Sequence, residues 1–298
     1  MNRPDPSPRL TFMPEPGTPA LALPRGACDT HVHVFGPSAR FPFDAGRNFT
    51  PVDAPKETLY ALHRHLGIER CVVVQSAVHG FDNSAAEDAI AHGGGRYLGV
   101  ALAPLSVADA ELRRLAAAGF RGVRFNFMKH LVSAGGVDEI VAFTRRLAPL
   151  GMHLQVHFES SLIHGLAGAL AQSAVPVVID HMGRVDAAQG TDHADFSALR
   201  QLLRNPLFRV KVSGIDRISR ITPGTASPDY GEGIALAALL VREFPERCLW
   251  GSDWPHPNHT HVPDDAVLVD ALSRIAPDPQ AREQLLVRNP QTFYRFEA

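Results

Sequence analysis

Eight short apolar runs alternate with amphipathic stretches along most of the chain, and this alternation limits the possible folds more than any other feature. The runs span residues 27–35, 70–76, 97–103, 122–127, 153–158, 175–181, 208–214 and 248–255. Several are nearly continuous in β-branched and large apolar residues, as in Cys71-Val72-Val73-Val74. Runs of that kind suit strands buried on both faces, the condition of a parallel sheet. Between them, 59–66, 84–92, 108–118, 139–150, 162–171, 196–203, 234–244 and 266–275 place apolar residues three or four apart, the spacing of one helix face. Gly67, Gly119 and Gly151 stand where three of these helices should stop. A last helix over 279–287 closes the chain.

Strands and helices alternating eight times predict an α/β fold of the (β/α)8 TIM barrel type, for which a chain of 298 residues is long enough. A doubly wound open sheet also alternates. No glycine-rich phosphate loop follows the first run, which weakens the nucleotide-binding form of that fold. The barrel is expected over residues 27–298. Residues 1–26 carry seven prolines and read as an extended arm lying on or near it.

Composition excludes several function classes. Lysine plus arginine total 29 and aspartate plus glutamate 31, a net charge of −2, so no basic excess marks a general nucleic-acid or anionic-membrane binder. There is no run of about 18 apolar residues for a membrane span, and no apolar core for a signal peptide in residues 1–26. Cys28, Cys71 and Cys248 are too few and too scattered for a disulfide framework. Buried free thiols and a cytoplasmic location are expected. Nothing in the sequence sets an oligomeric state.

In a barrel, chemistry sits at the C-terminal ends of the strands. Polar residues gather there in this chain: Asp29-Thr30-His31-Val32-His33, Gln75-Ser76, Arg124 with Asn126, His157 with Glu159, Asp180-His181 then Arg184, Lys211 and Ser213 then Arg217, and Asp253-Trp254-Pro255-His256. His31 and His33 lie two apart, so one strand face carries both rings. Two inward imidazoles pack a core poorly and point to catalysis or metal binding, against the plainer reading of hydrogen-bonded structural histidines. Asp253 follows an apolar run, where an unpaired carboxylate is costly to bury; it needs a cation or a metal. The stretch 216–229 reads as an active-face loop after the seventh strand.

With HxH on the first strand, a later histidine on the sixth and an aspartate on the eighth, the chain resembles the amidohydrolase superfamily. VIDHMGR (178–184), LWGSDWPHPN (249–258), Arg124-Phe125-Asn126-Phe127 and Asn289-Pro290 look like its 2-pyrone-4,6-dicarboxylate lactonase-like family, from about residue 24 to the C-terminus. The resemblance implies a hydrolase that opens a small anionic lactone in aromatic-compound catabolism. Asp253 would act as the base toward water. His31, His33 and His181 would polarise the lactone carbonyl. Arg124, Arg184 and Arg217 would hold substrate carboxylates, a task suited to bidentate guanidinium forks. Ser76, Asn126, His130, His157, Phe49 and His256 would line the pocket.

Three positions depart from the family pattern. His130 replaces an arginine, and Phe49 and His157 replace tyrosines, which widens the substrate to related carboxylated or sulfonated muconolactones. The resemblance implies no required cofactor. His31, His33, His181 and Asp253, with His157 as an addition, also form a set that suits a single zinc. A metal-dependent decarboxylase acting on an aromatic or unsaturated carboxylate is the alternative activity.

Overall fold

The strand–helix alternation folds as eight parallel strands whose order around the sheet is their order in the chain. The computed structural model describes residues 7–127, 135–221, 228–258 and 261–297. The strands are β1 (Cys28–Val32), β2 (Arg70–Val74), β3 (Tyr97–Leu102), β4 (Phe120–Phe127), β5 (His153–Phe158), β6 (Val177–Ile179), β7 (Phe208–Lys211) and β8 (Cys248–Leu249). The seam between last and first is closed just beyond β8: Thr30 N donates to Trp250 O (2.9 Å), Asp253 N to His31 O (2.8 Å) and His33 N to Trp254 O (2.7 Å). The fold is a TIM barrel.

The helices are α1 (Lys56–Leu66), α2 (Ser84–Ala91), α3 (Asp109–Ala117), α4 (Val137–Leu147), α5 (Ile163–Leu170), α6 (Ala194–Leu203), the single turn α7 (Ile215–Ile218), α8 (Gly231–Glu243), α9 (Asp265–Asp270), α10 (Leu272–Ile275), α11 (Pro279–Glu283) and α12 (Asn289–Tyr294). Gly67 ends α1 at φ 77°, donating back to His63 O, a conformation that carries little cost only without a Cβ. Each long helix buries one apolar stripe against the sheet, as Leu59, Leu62 and Leu66 do in α1.

Two expected strands are much shorter than their apolar runs. The run 175–181 yields only Val177–Ile179, and 248–255 only Cys248–Leu249. Left-handed backbone follows each strand: His181 to Arg184 have φ of 48–63° just after β6, and Asp253, four residues beyond β8, has φ 68°. The predicted helix 266–275 divides at Ala271 into α9 and α10. The predicted loop 216–229 begins inside α7. The final helix, expected over 279–287, starts as α11, widens into a π turn (Gln284–Arg288) and runs on into α12.

Alternation along the strands sorts the core into two layers. Cys28, Val72, Val74, Leu98, Val100, Val178 and Leu249 pack with Tyr294 and Phe296 from the chain's end as one buried cluster. A larger cluster joins the sheet to the helices. The three cysteines are free and buried. The N-terminal arm lies on the barrel: Arg9 N donates to Thr50 O (2.8 Å), Gly17 N to the Asp264 carboxylate (3.1 Å) and Leu21 N to Asp270 Oδ1 (2.8 Å). Among the described residues no helix is long and apolar enough to cross a membrane.

Candidate active site

The seam hydrogen bonds place His31 and His33 beside Asp253, about 220 residues away in sequence. Three imidazole nitrogens converge on one carboxylate oxygen. From Asp253 Oδ1, His33 Nε2 lies at 3.3 Å, His31 Nε2 at 3.6 Å and His181 Nε2 at 3.7 Å. All four side chains are buried. Gly251 makes this approach feasible, since a Cβ there would sit 2.6 Å from His31 Cβ and 2.7 Å from His31 N.

Charge is organised in pairs around this centre. Arg217 Nε makes a short hydrogen bond to Asp253 Oδ2. Burial pushes the Asp253 carboxyl up, but Arg217 and His181 outweigh it and hold it well below the usual carboxylate range. Arg124 Nε bonds Asp180 Oδ2 at 2.8 Å, and Gln155 Nε2 donates to the same oxygen at 3.1 Å. Burial works against Asp180 in the same way, and Arg124 leads the groups that keep it ionised. Arg184 forms no ion pair or hydrogen bond among the described residues, and burial with the nearby Arg217 lowers its affinity for a proton.

Below these residues lies Lys211, wholly buried. Its Nζ donates to Thr30 O at 2.8 Å and reaches His31 Nδ1 at 3.2 Å. Burial lowers it to about 8, with Asp180 opposing that shift. Burial also keeps the imidazoles neutral: His31 falls to about 3, and His157 and His181 fall well below their ordinary value.

His181 and Arg184 owe their positions to the left-handed turn 181–184. Each non-glycine residue there costs about 1 kcal/mol or more, and such strain persists only where the surroundings hold it. Asp180 at the start of the turn is anchored by Arg124 and Gln155, while His181 Nδ1 meets Ser213 Oγ at 2.9 Å.

The pocket above the cluster is lined by His33, Phe49, Ser76, Arg124, Asn126, His157, His181, Arg184, Arg217 and Asp253. Asn48, Ala77, Pro257 and Asn258 also line it and carry no motif that marks them. Among the described residues, both ring nitrogens of His157 and the Asn126 Oδ1 are buried without a hydrogen-bond partner. The register pairs Asn126 with His157 and Arg124 with Gln155, so two tiers of polar groups rise toward the mouth.

Two expected lining residues differ. His256 does not line the pocket: after the turn at Pro255 its backbone adopts φ 56°, and its wholly buried ring places Nε2 3.2 Å from Asp265 Oδ1. His130 lies outside the described residues. Asp180 and Lys211 are central to the site, yet strand-end position alone assigns them no role. The usable signal was parity: Asp180 falls two residues after Val178, and Lys211 two before Ser213, on strands that alternate.

The donor set fits a single metal ion in part. Ligand atoms of His31, His181 and Asp253 lie within 4.8 Å of one another, the one such group among the described residues, and His31 Nε2 and Asp253 Oδ1 make no hydrogen bond. His33 and His157 do not join that group.

Comparison with known proteins agrees with this geometry. An amidohydrolase family model matches residues 28–296. A 2-pyrone-4,6-dicarboxylate hydrolase from Comamonas testosteroni is 43% identical over 290 residues, covering 96% of this chain and 95% of the relative. A 4-sulfomuconolactone hydrolase from Hydrogenophaga intermedia is 38% identical over 280 residues, 92% of this chain and 90% of that one. Among solved structures, a probable 2-pyrone-4,6-dicarboxylic acid hydrolase from Acinetobacter baumannii with citric acid bound is 25% identical, with a TM-score of 0.80 over 91% of this chain and all of that one.

Proposed function

The chain belongs to the amidohydrolase family, and from that premise we propose that it hydrolyses a small anionic lactone in the catabolism of aromatic compounds. The observation that carries the reading is the Asp253 carboxylate at the floor of a pocket, ringed by three imidazoles and overlooked by the Arg184 guanidinium, which forms no ion pair among the described residues.

In the proposed reaction water attacks the lactone carbonyl carbon and Asp253 takes its proton. His31, His33 and His181 face the carbonyl and its developing negative charge. The ring C–O bond then breaks, and the proton passes from Asp253 to the departing oxygen. Arg184 holds an anionic group of the substrate, and Arg124 and Arg217 complete a cationic wall. 2-Pyrone-4,6-dicarboxylate and carboxylated or sulfonated muconolactones are the substrates that fit. Phe49 and His157 supply an apolar edge and an imidazole to the lining in place of phenols.

The reaction as drawn requires no metal. The same centre fits a single zinc held by His31, His181 and Asp253, which when bound would polarise the carbonyl. The three buried thiols suit a reducing compartment, and we place the enzyme in the cytoplasm. Loss of pyrone absorbance on mixing with 2-pyrone-4,6-dicarboxylate, and ring opening of 4-sulfomuconolactone, test the activity. Turnover of neither compound nor of related muconolactones refutes it. Carbon dioxide release that stops on chelation would establish the decarboxylase instead.

A further inference from the structure

We propose that Asp29 is a positioning residue for the site: one oxygen of its side chain takes two backbone N–H groups at the barrel seam, and so sets His31 against Asp253. The register of β1 shows why such an acceptor is needed. Asp29 lies opposite Cys71, but Val32 lies opposite Val73, so three steps along β1 match two along β2. The extra residue is a bulge, which disrupts the ladder locally and re-aims the side chains around it. His31 sits inside that bulge, and its N–H donates to Asp29 Oδ1 at 3.0 Å.

The other edge of β1 is irregular at the same level. Thr30 N donates to Trp250 O, and a regular parallel ladder would return Ser252 N to Thr30 O. That oxygen accepts from Lys211 Nζ at 2.8 Å instead, and Ser252 N turns to Asp29 Oδ1 at 3.1 Å. Asp29, His31 and Ser252 are all buried, where an N–H without an acceptor is costly. A single oxygen therefore ties the residue that carries one imidazole to the residue that precedes the carboxylate. Beyond this point the seam continues through Asp253 N to His31 O and His33 N to Trp254 O, and Ser252 Oγ accepts from Trp254 N at 3.1 Å. Gly251 leaves the room, since a Cβ there would stand 3.1 Å from Asp29 Oδ1.

Geometry carries this role, and charge does not. A carboxyl oxygen accepts hydrogen bonds whether or not its sister oxygen holds a proton. That sister, Oδ2, makes no hydrogen bond, and His63 Nε2 is 3.9 Å from it. Asparagine would supply the same acceptor at the same place. Glutamate keeps the carboxyl but moves it out by one methylene. Asp29 does not line the pocket, so it acts on a substrate only through the backbone of His31 and Ser252. The inference deepens the lactonase reading, and its kinetic part rests on that reading.

The test compares Asp29→Ala, Asp29→Asn and Asp29→Glu with wild type by amide hydrogen exchange and by steady-state kinetics on 2-pyrone-4,6-dicarboxylate and 4-sulfomuconolactone. In Asp29→Ala the amides of residues 249–256 should exchange about tenfold or more faster, while those of β3 keep wild-type protection. Its kcat should fall about 10²-fold, the effect of a misplacement near 1 Å. KM should stay within about threefold, because Arg124, Arg184 and Phe49 stand on other elements. Asp29→Asn should recover both the protection and most of kcat, and Asp29→Glu should recover neither. Exchange that rises equally in β3, or that is unmoved at 249–256, overturns the proposal. So does an Asp29→Asn as impaired as Asp29→Ala, a wild-type Asp29→Glu, or a loosened seam with wild-type kcat. Should Asp29→Ala fail to fold, the asparagine and glutamate variants decide on the same readouts. If wild type turns over neither lactone, the substrate assignment is what fails, and exchange alone decides the role of Asp29.

Discussion

At the scale of single residues, the site depends on how each charge is paired. Asp253 is ionised because Arg217 outweighs the burial that would protonate it. Arg217 therefore does more than contact substrate. Replacing it with methionine should raise KM and also move the acid limb of the kcat/KM profile to higher pH by about one unit, the effect of losing an adjacent opposite charge. A rise in KM with an unmoved profile would restrict Arg217 to substrate binding. Arg184 has no ion-pair partner among the described residues, so Arg184→Met should raise KM by about tenfold or more with little change in the profile. Asp253→Asn should lower kcat by about 10²–10⁴-fold while a lactone still binds, as expected for loss of a general base. Retained turnover would remove Asp253 from that role.

At the scale of elements, the seam between β1 and the segment after β8 decides whether the site exists. Three backbone hydrogen bonds align two segments that share no local sequence relation. Close approach at Gly251 is their precondition. Gly251→Ala should force the seam apart by several tenths of an ångström, reduce activity at least tenfold, and lower the thermal midpoint, because a 1 Å error in positioning can cost about 10² in rate. Wild-type kinetics in that variant would show that the seam tolerates the shift. The arm braces the same segment from outside, with Phe12 packed 5.2 Å from Trp254, the residue next to Asp253. Phe12→Ala should destabilise the fold by about 3 kcal/mol, the usual cost of deleting a buried aromatic side chain, read as a shift in the urea midpoint.

At the scale of the whole molecule, buried neutral histidines set the response to acid. His31, His63 and His153 are pushed by burial to about 3, and His157 and His181 well below their ordinary value. Each folded value lies under the unfolded value of about 6.5, so the unfolded chain binds more protons. The stability these rings contribute is complete above about pH 6.5 and is lost as pH falls through that point toward their folded values. Asp29, which burial raises to about 7, runs the opposite way and offsets roughly one of these protons. The urea midpoint should therefore fall steeply below pH 6.5. His63→Gln, remote from the pocket, should lessen that slope by one ring's share, at most about 1.4 kcal/mol per pH unit. An unchanged slope would mean that His63 is protonated in the fold.

The barrel was legible in the sequence because each apolar run and each amphipathic stretch carries its own periodicity, a local property. His31, His33, His181, Asp253 and the arginines were legible because polar residues at the ends of apolar runs have few structural reasons to be there. The parts that were not legible depend on contacts across the barrel. The pairing of Arg217 with Asp253, the Asp180 anchor beneath Arg124, the turning of His256 toward Asp265 and the Lys211 contact with His31 join residues from different strands, at distances no spacing rule encodes. The sequence by itself determined the eightfold alternation and the inventory of acids, bases and cations at its ends. The tertiary structure alone decided which charge meets which, because hydrogen bonding and ion pairing fall off within a few ångströms and only closure of the barrel brings those groups within that range.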